Sequence, residues 1–416
     1  MTAQLLPEGF DFTDPDLNLA GVPHDEFTAL RTASPIHWVE QVDSARAGMS
    51  VDAGSGYWAV TKHADISEVS KNNKVFSSKE NGAIIRLPET ATRESLEMTQ
   101  VVIINQDAPD HTQLRKIISR GFTPRAIGAL DEVLEERARR IVAEAVEVGS
   151  GNFVDQVASQ FPLEVIGDML GIPAEDRKKI FDWTNQMTGA EDADLAREDN
   201  DPEAAAAEVL MYSMGLAAER KANPRDDIVT KLVQSGEDGG RGLTDDEFGF
   251  FVIALAVAGN ETTRNATTHG MNAFFDRPDQ WDLWVRERPS TMVDEVIRWA
   301  TPVTSFQRTA LEDVELSGVQ IKAGQRVALF YASANHDEDV FTDPFTFDIT
   351  RDPNPHLSFG GHGVHYCIGA NLARMEIKLI FEALADLAPD IRRTGEVSRL
   401  RSGWLNGIKE LPVVYR

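Results

Sequence analysis

The sequence predicts a mainly α-helical protein with small β-sheets toward its N-terminal and C-terminal ends. Three observations carry that expectation. Helical apolar spacing dominates from Asp110 to about Leu170. Thr244 with Glu247 forms a capping box, which opens a long helix running to about Phe275. The strand-like stretches are few and short: Pro35-Ile-His-Trp, Gly56-Tyr-Trp-Ala-Val-Thr, Val314 to Leu316, Gln320-Ile-Lys and Arg326 to Tyr331.

The remaining elements follow in chain order. Residues 1 to 80 mix short helix and strand signals, and residues 82 to 107 are poorly periodic, which predicts loop and short helix. Pro173, Ala174 and Glu175 open a further helix, and the acidic stretch 190 to 204 predicts a surface loop. Asp226 reads as a helix N-cap. Two later helices cover Thr291 to Ala300 and Ile368 to Asp386; in the second, Leu372, Ile377, Ile380 and Leu384 share one apolar face. A Pro-rich meander from Asp343 to Leu357 lies between them.

Composition narrows the class. The chain has 416 residues, above the usual domain size, but no Ser/Gly linker, repeat or low-complexity run divides it, so a single domain over 1–416 is expected. One cysteine excludes an internal disulfide and fits a reducing, cytoplasmic setting. The start, MTAQLLPEGFDFTDPD, has neither a basic nor a long apolar stretch, so no signal peptide or membrane anchor is expected. The longest apolar run, Phe248 to Gly259, is too short for a span of roughly 20 residues. A formal net charge of −26 argues against a nucleic-acid partner. Against that acidity, Arg115, Lys116, Arg120 and Arg125 cluster in one short stretch.

The most informative residue is the lone cysteine, Cys367, within Phe359-Gly-Gly-His-Gly-Val-His-Tyr-Cys-Ile-Gly369. A lone cysteine is usually a small buried hydrophobe. Here Gly360, Gly361 and Gly363 precede it and Gly369 follows, which predicts a loop that a flat, bulky group can approach closely. His365 lies two residues ahead, and the predicted downstream helix places its positive end near the sulfur. Cys367 therefore reads as a thiolate ligand. Three further constellations accompany it. Ala258-Gly-Asn-Glu261-Thr262-Thr263 puts an acid and an alcohol in an apolar helix, where an unpaired carboxylate is costly. Its threonines can bond water or bond back to the preceding turn. Glu295-Val-Ile-Arg298 sets acid and base on one helix face. Asp107-Ala-Pro-Asp-His111-Thr-Gln-Leu-Arg115 sets His111 and Arg115 four apart.

The Cys367 stretch resembles the haem-binding loop of cytochrome P450 enzymes, with one extra residue: Phe359 stands eight before the cysteine, and position 360 is Gly. The Ala258–Thr263 segment resembles that family's distal-helix acid–alcohol pair, and Glu295-x-x-Arg298 with Arg351 resembles its folding triad. The resemblance implies the triangular, mostly helical P450 fold and haem b, with Cys367 as iron ligand. Ala258, Phe359 and Gly369 would lie against the haem, and His111, Arg115, Arg308 and His365 would hold its propionates. Thr262 would hold water or dioxygen while Glu261 passes protons from solvent.

Further segments, among them SRGFTPRAIGAL, LAVAGNETTRNA and RSGWLNGIKELPV, are similar to actinobacterial steroid side-chain monooxygenases. This implies hydroxylation of the terminal methyl of cholesterol or cholest-4-en-3-one, possible onward oxidation to the acid, or ω-hydroxylation of a methyl-branched lipid. Ile84, Leu87, Val257, Ala258, Val303, Phe306 and Trp404 are the candidate lining. Electrons would come from a ferredoxin and its reductase, docked on Lys116, Arg120, Arg125 and Lys378. Two other readings compete. A cysteine-nucleophile hydrolase would leave Glu295-x-x-Arg298 and the distal helix unexplained, and a haem sensor would need no Glu261–Thr262 relay.

Overall fold

Strands from two distant parts of the chain build one sheet. In the computed structural model, which describes residues 5–188, 191–192, 202–225, 227–234 and 240–416, these are β1 (Ile36–Glu40), β2 (Gly56–Val60), β3 (Phe76–Ser77), β4 (Ser305–Ala310) and β5 (Arg326–Phe330). Their order is β1-β2-β5-β4-β3, with β2 and β5 parallel and the other pairs antiparallel. In this sheet the early and late strands interleave, which the sequence did not show, while Val314–Leu316 pairs with Val319–Ile321 in a separate small sheet as expected toward the C-terminal end. β4 went unforeseen because its sequence, SFQRTA, lacks an apolar alternation. It is buried nonetheless, since Gln307 and Arg308 find polar partners inside.

The long helix spans Asp245–Asp276 behind the expected capping box, with Thr244 Oγ1 accepting from the Glu247 amide at 3.1 Å. It packs against the helices Gln160–Met169, Pro202–Ala222, Met292–Ala300 and Ala370–Leu387. Phe248, Val252, Met271 and Phe274 join Val296 and Phe381 in the main apolar core. Gly270 permits close packing on the helix Met292–Ala300, because a Cβ there would lie 2.7 Å from Val296 Cγ1. Among the described residues no helix is long and apolar enough to cross a membrane.

Several boundaries move. Asp227 caps the helix Ile228–Val233, accepting from the Thr230 amide at 2.8 Å, whereas Asp226 lies outside the described residues. Most of the expected loop 190–204 also lies outside them, but Asp192 is buried and pairs with Lys409 at 2.9 Å, so that position is not surface loop. The last long helix begins at Ala370, two residues later than expected.

The Pro-rich meander is irregular, as expected, and its backbone is satisfied by side chains. Glu295 and Arg298 are both fully buried and bond through two contacts, at 2.7 and 2.8 Å. Arg351 completes the triad at 3.1 Å from Glu295 Oε2. Arg298 Nη1 donates to the carbonyls of Asn335 and Pro344 at 2.8 and 2.9 Å, and Arg351 donates to those of Thr342 and Thr346 at 2.7 and 2.9 Å. Removing one partner of a buried ion pair strands the other, at a cost of about 3–5 kcal/mol. Arg298→Ala should therefore lower unfolding free energy by about that amount in urea titration. A change of about 0.5 kcal/mol or less would show that the cluster is not a structural keystone.

Candidate active site

The loop before Cys367 closes on itself, with the Cys367 amide donating to the Phe359 carbonyl at 2.9 Å. Gly360 makes this turn at φ +98°, which favours glycine. Gly361 and Gly363 serve a purpose other than the one expected. A Cβ on either would collide with Ser70, because the helix His63–Lys71 packs directly on the loop. Those two glycines admit a neighbouring helix, not a flat ligand.

Cys367 is nevertheless exposed by area, while burial among the surrounding protein pushes its thiol pKa up. The sulfur therefore faces open space enclosed by the fold. Three groups oppose burial and favour the thiolate: the Gly369 amide, Arg115 and Arg374. Arg374 also lies over the Phe359 ring, 4.6 Å from its centroid, and donates to Asp294 at 2.8 Å. Mid-helix Ala258 is exposed as well, between buried Ala256 and Asn260.

The structure brings His111, Arg115, Arg308 and His365 together. The rings of His111 and His365 lie 4.2 Å apart. His365 Nε2 hydrogen-bonds Ser78 Oγ at 3.0 Å, and Arg115 Nη2 reaches the Tyr366 carbonyl at 2.5 Å. Burial first, then Arg308, His111 and Arg115, push His365 down to about 2. Burial and Arg115 push His111 down to about 4, and its Nε2 is buried without a partner. The acid acting on His111 and Arg308 is Asp107, itself engaged by Ser77 Oγ and the Ser78 amide. Crowded basic groups with an orphaned ring nitrogen suit an anionic ligand. Together with a thiol on open space and an exposed mid-helix alanine, this donor set fits a haem and its two propionates.

On the long helix, Thr262 Oγ1 donates to the Ala258 carbonyl at 2.5 Å, so the bond back to the preceding turn is present. The helix stays continuous through Ala258-Gly259, and a Cβ on Gly259 would lie 3.0 Å from Ile166 Cδ1, so the glycine admits a neighbouring helix while Ala258 is exposed. Glu261 is 1% exposed; Arg264 pairs with one of its oxygens, and the other has no protein partner. Burial pushes its carboxyl pKa up, against the pull of Arg264. Arg264 escaped the sequence reading, although its place three residues on from the acid was the available signal.

Of the candidate lining residues, Val303 bridges Leu405, and Phe306 and Trp404 lie 6.3 Å apart between ring centroids. The segment carrying Ile84 joins them, through the Gln307 amide bonded to the Ala83 carbonyl at 2.8 Å. Ile84 is half-buried, while Ile85 turns into the core beside Phe12 and Phe27. Val257 is half-buried beside Ala258. Leu87 is half-buried, and its amide donates to the Ala45 carbonyl at 2.8 Å.

A lone thiol on a glycine loop, a cluster of four basic groups and an exposed alanine on a long helix form the donor set of a haem-thiolate protein. The family model for cytochrome P450 matches residues 290–385. The chain is 58% identical over 411 residues to the steroid C26-monooxygenase of Rhodococcus jostii, covering 99% of this chain and 86% of that one. It is 40% identical over 395 residues to the methyl-branched lipid omega-hydroxylase of Mycobacterium tuberculosis, covering 94% and 90%. A Mycobacterium marinum cytochrome P450 solved with pseudoionone superposes with a TM-score of 0.86 at 38% identity, covering 94% of each chain. The chain belongs to the cytochrome P450 family, and it is a haem-dependent monooxygenase. The hydrolase and sensor readings fall with that assignment.

If Cys367 is the ligand, Cys367→Ser should abolish the thiolate-type absorption band of the reduced, carbon monoxide-bound protein. Survival of that band would refute the assignment.

Proposed function

We propose that the protein hydroxylates the terminal side-chain methyl of a sterol such as cholesterol or cholest-4-en-3-one, and can carry it on to the acid. The carrying observation is 58% identity to steroid C26-monooxygenases over 99% of the chain. The second reading, ω-hydroxylation of a methyl-branched lipid, has the support of the 40% relatives. Both substrates offer an isopropyl end on an apolar chain, which suits the wall of Ile84, Val303, Phe306 and Trp404.

The haem, proposed as haem b, supplies reductive activation of dioxygen when bound, and a thiolate ligand favours O–O cleavage. The residues of the chain do the rest. Cys367 supplies the thiolate, and His111, Arg115, Arg308 and His365 balance the propionates. Buried Glu261, its carboxyl pKa pushed up, is suited to hold a proton and release it. The Thr262 hydroxyl, whose hydrogen goes to Ala258, keeps its lone pairs free to accept from water. Glu295, Arg298 and Arg351 brace the fold without touching substrate.

A single cysteine cannot hold an iron–sulfur cluster, which needs about four ligands, so a separate ferredoxin with its reductase is the proposed electron source. Lys116, Arg125 and Lys378 are exposed and form its proposed docking face. Arg120 is half-buried and turns toward the Arg241 carbonyl at 3.3 Å, which makes it the weakest member. The protein is proposed to work in the cytoplasm as a single domain.

Titration with cholest-4-en-3-one and with a methyl-branched fatty acid, followed by turnover, separates the two substrate readings. The sterol should perturb the haem spectrum at lower concentration and give a terminal alcohol. Tighter binding of the fatty acid with no sterol product would favour the second reading.

Thr262→Ala should preserve haem content and substrate binding while most electrons are lost to peroxide. Full coupling of electron consumption to product in that variant would remove Thr262 from proton delivery.

A further inference from the structure

Two buried polar side chains beside the substrate wall have no part in the proposed reaction: Gln307 on β4 and Arg326 on β5. Both are 0% exposed. Across from them runs the segment 81–85, which has no helix or strand of its own. Buried carbonyls in such a segment need donors from elsewhere. Gln307 and Arg326 serve all five in succession. Gln307 Nε2 lies 3.1, 3.3 and 2.9 Å from the carbonyls of Asn81, Gly82 and Ile84, and with two hydrogens for three acceptors it shares one of them between two carbonyls. The Gln307 backbone amide takes the Ala83 carbonyl at 2.8 Å. Arg326 Nη1 takes the Ile85 carbonyl at 3.1 Å, and also Gln307 Oε1 at 3.3 Å, which joins the two side chains into one clamp.

Arg326 is itself immobilised. Its Nη2 donates to Gln41 Oε1 and to the Gly56 carbonyl, both at 2.9 Å, and its guanidinium lies 5.9 Å from the Tyr57 ring centroid. The clamp thus refers the segment to β2, β4 and β5 at once. Ile84 is half-buried, between buried Ala83 and buried Ile85. Phe306 and Arg308, on either side of Gln307 in β4, are also assigned to the site. The strand assigned to the substrate wall and to the cofactor's anion thus also fixes the neighbouring segment of that wall.

We propose that Gln307 and Arg326 are positioning residues that hold Ile84 against the substrate chain and thereby decide which carbon is oxidised. The proposal rests on the reading that Ile84 lines the channel for a branched apolar chain end. A terminal methyl is a less reactive C–H than the neighbouring internal positions, so oxidation at the end requires a wall that cannot recede. A segment pinned at five successive carbonyls is such a wall.

The test uses the haem-loaded protein and two readouts. Gln307→Leu removes the amide; Gln307→Asn keeps it on a shorter arm and guards against loss of folding. Both variants should speed hydrogen–deuterium exchange within 81–87. They should also shift the ratio of internal to terminal alcohols upward, by about tenfold for Gln307→Leu. The ratio is read on whichever substrate, cholest-4-en-3-one or a methyl-branched fatty acid, the native protein oxidises. Failure of the sterol alone thus rejects the substrate reading without touching this one. In an Ile84→Ala background, Gln307→Leu should add little to the shift. An unchanged product ratio, unchanged exchange, or a shift fully additive with Ile84→Ala would overturn the proposal.

Discussion

The structure hangs on one buried carboxylate. Glu295 accepts from Arg298, Arg351, Asn354 and the Asp348 amide, so its charge is fully engaged without water. Two guanidiniums around one carboxylate have donors to spare, and these go to carbonyls of the meander, such as Pro344 and Thr346, and to that of Asn335 ahead of it. The Asn335 side chain passes the constraint on. Its Oδ1 accepts from the Leu357 amide at 2.7 Å, and its Nδ2 donates to Ser358 Oγ at 2.8 Å. Phe359 follows directly, and its carbonyl receives the Cys367 amide. An ion cluster on one helix therefore sets where the sulfur stands. Asp294, next to Glu295, reinforces it by holding His356 and Arg374, which flank the same loop.

The same physical device recurs. Irregular backbone inside a protein leaves polar groups that neither helix nor sheet can satisfy, and each one left unmade costs about 1–3 kcal/mol. Here buried arginines answer that need by donating to carbonyls, as Arg298 does for the meander and Arg326 for the segment 81–85. A guanidinium suits the task because it offers five donors in a fixed plane. The formal charge of −26 describes the whole chain and conceals this pattern. Around His111, Arg115, Arg308 and His365 the interior is locally basic, which adds to burial in pushing both imidazole pKa values down.

What was legible in the sequence follows from how local the cause is. Helices with a regular apolar face and a capping box, such as Asp245–Asp276, could be placed within a residue or so. The sulfur ligand could be read from its uniqueness and its glycines, yet the reason for Gly361 and Gly363 could not. Their constraint is Ser70, nearly three hundred residues earlier in the chain. The interleaved sheet was hidden for the same reason, since β2 meets β5 only in three dimensions. β4 was invisible because residues chosen for polar partners carry no periodic signal. Within the site, the four basic residues and the candidate substrate lining were named largely through resemblance. Arg264 and Gln307 were missed because what matters about them is the geometry of their partners.

Unengaged polar atoms lie on both sides of the site. Glu295, Arg298 and Asn335 are fully bonded and brace the cysteine loop, yet Ser70 Oγ, Asn354 Oδ1 and Glu376 Oε2 nearby are buried without protein partners. On the long helix, Asn260, Asn265 and one oxygen of Glu261 are buried without protein partners, and Arg264 Nε is likewise unpaired. Such groups are costly in an apolar core and are kept where water or ligand completes them. A thiolate ligand needs a fixed geometry, whereas proton delivery needs bonds that can be exchanged. The bonded Glu295 cluster supplies the first on the cysteine side, and the unpartnered oxygen of Glu261 on the long helix supplies an exchangeable bond for the second.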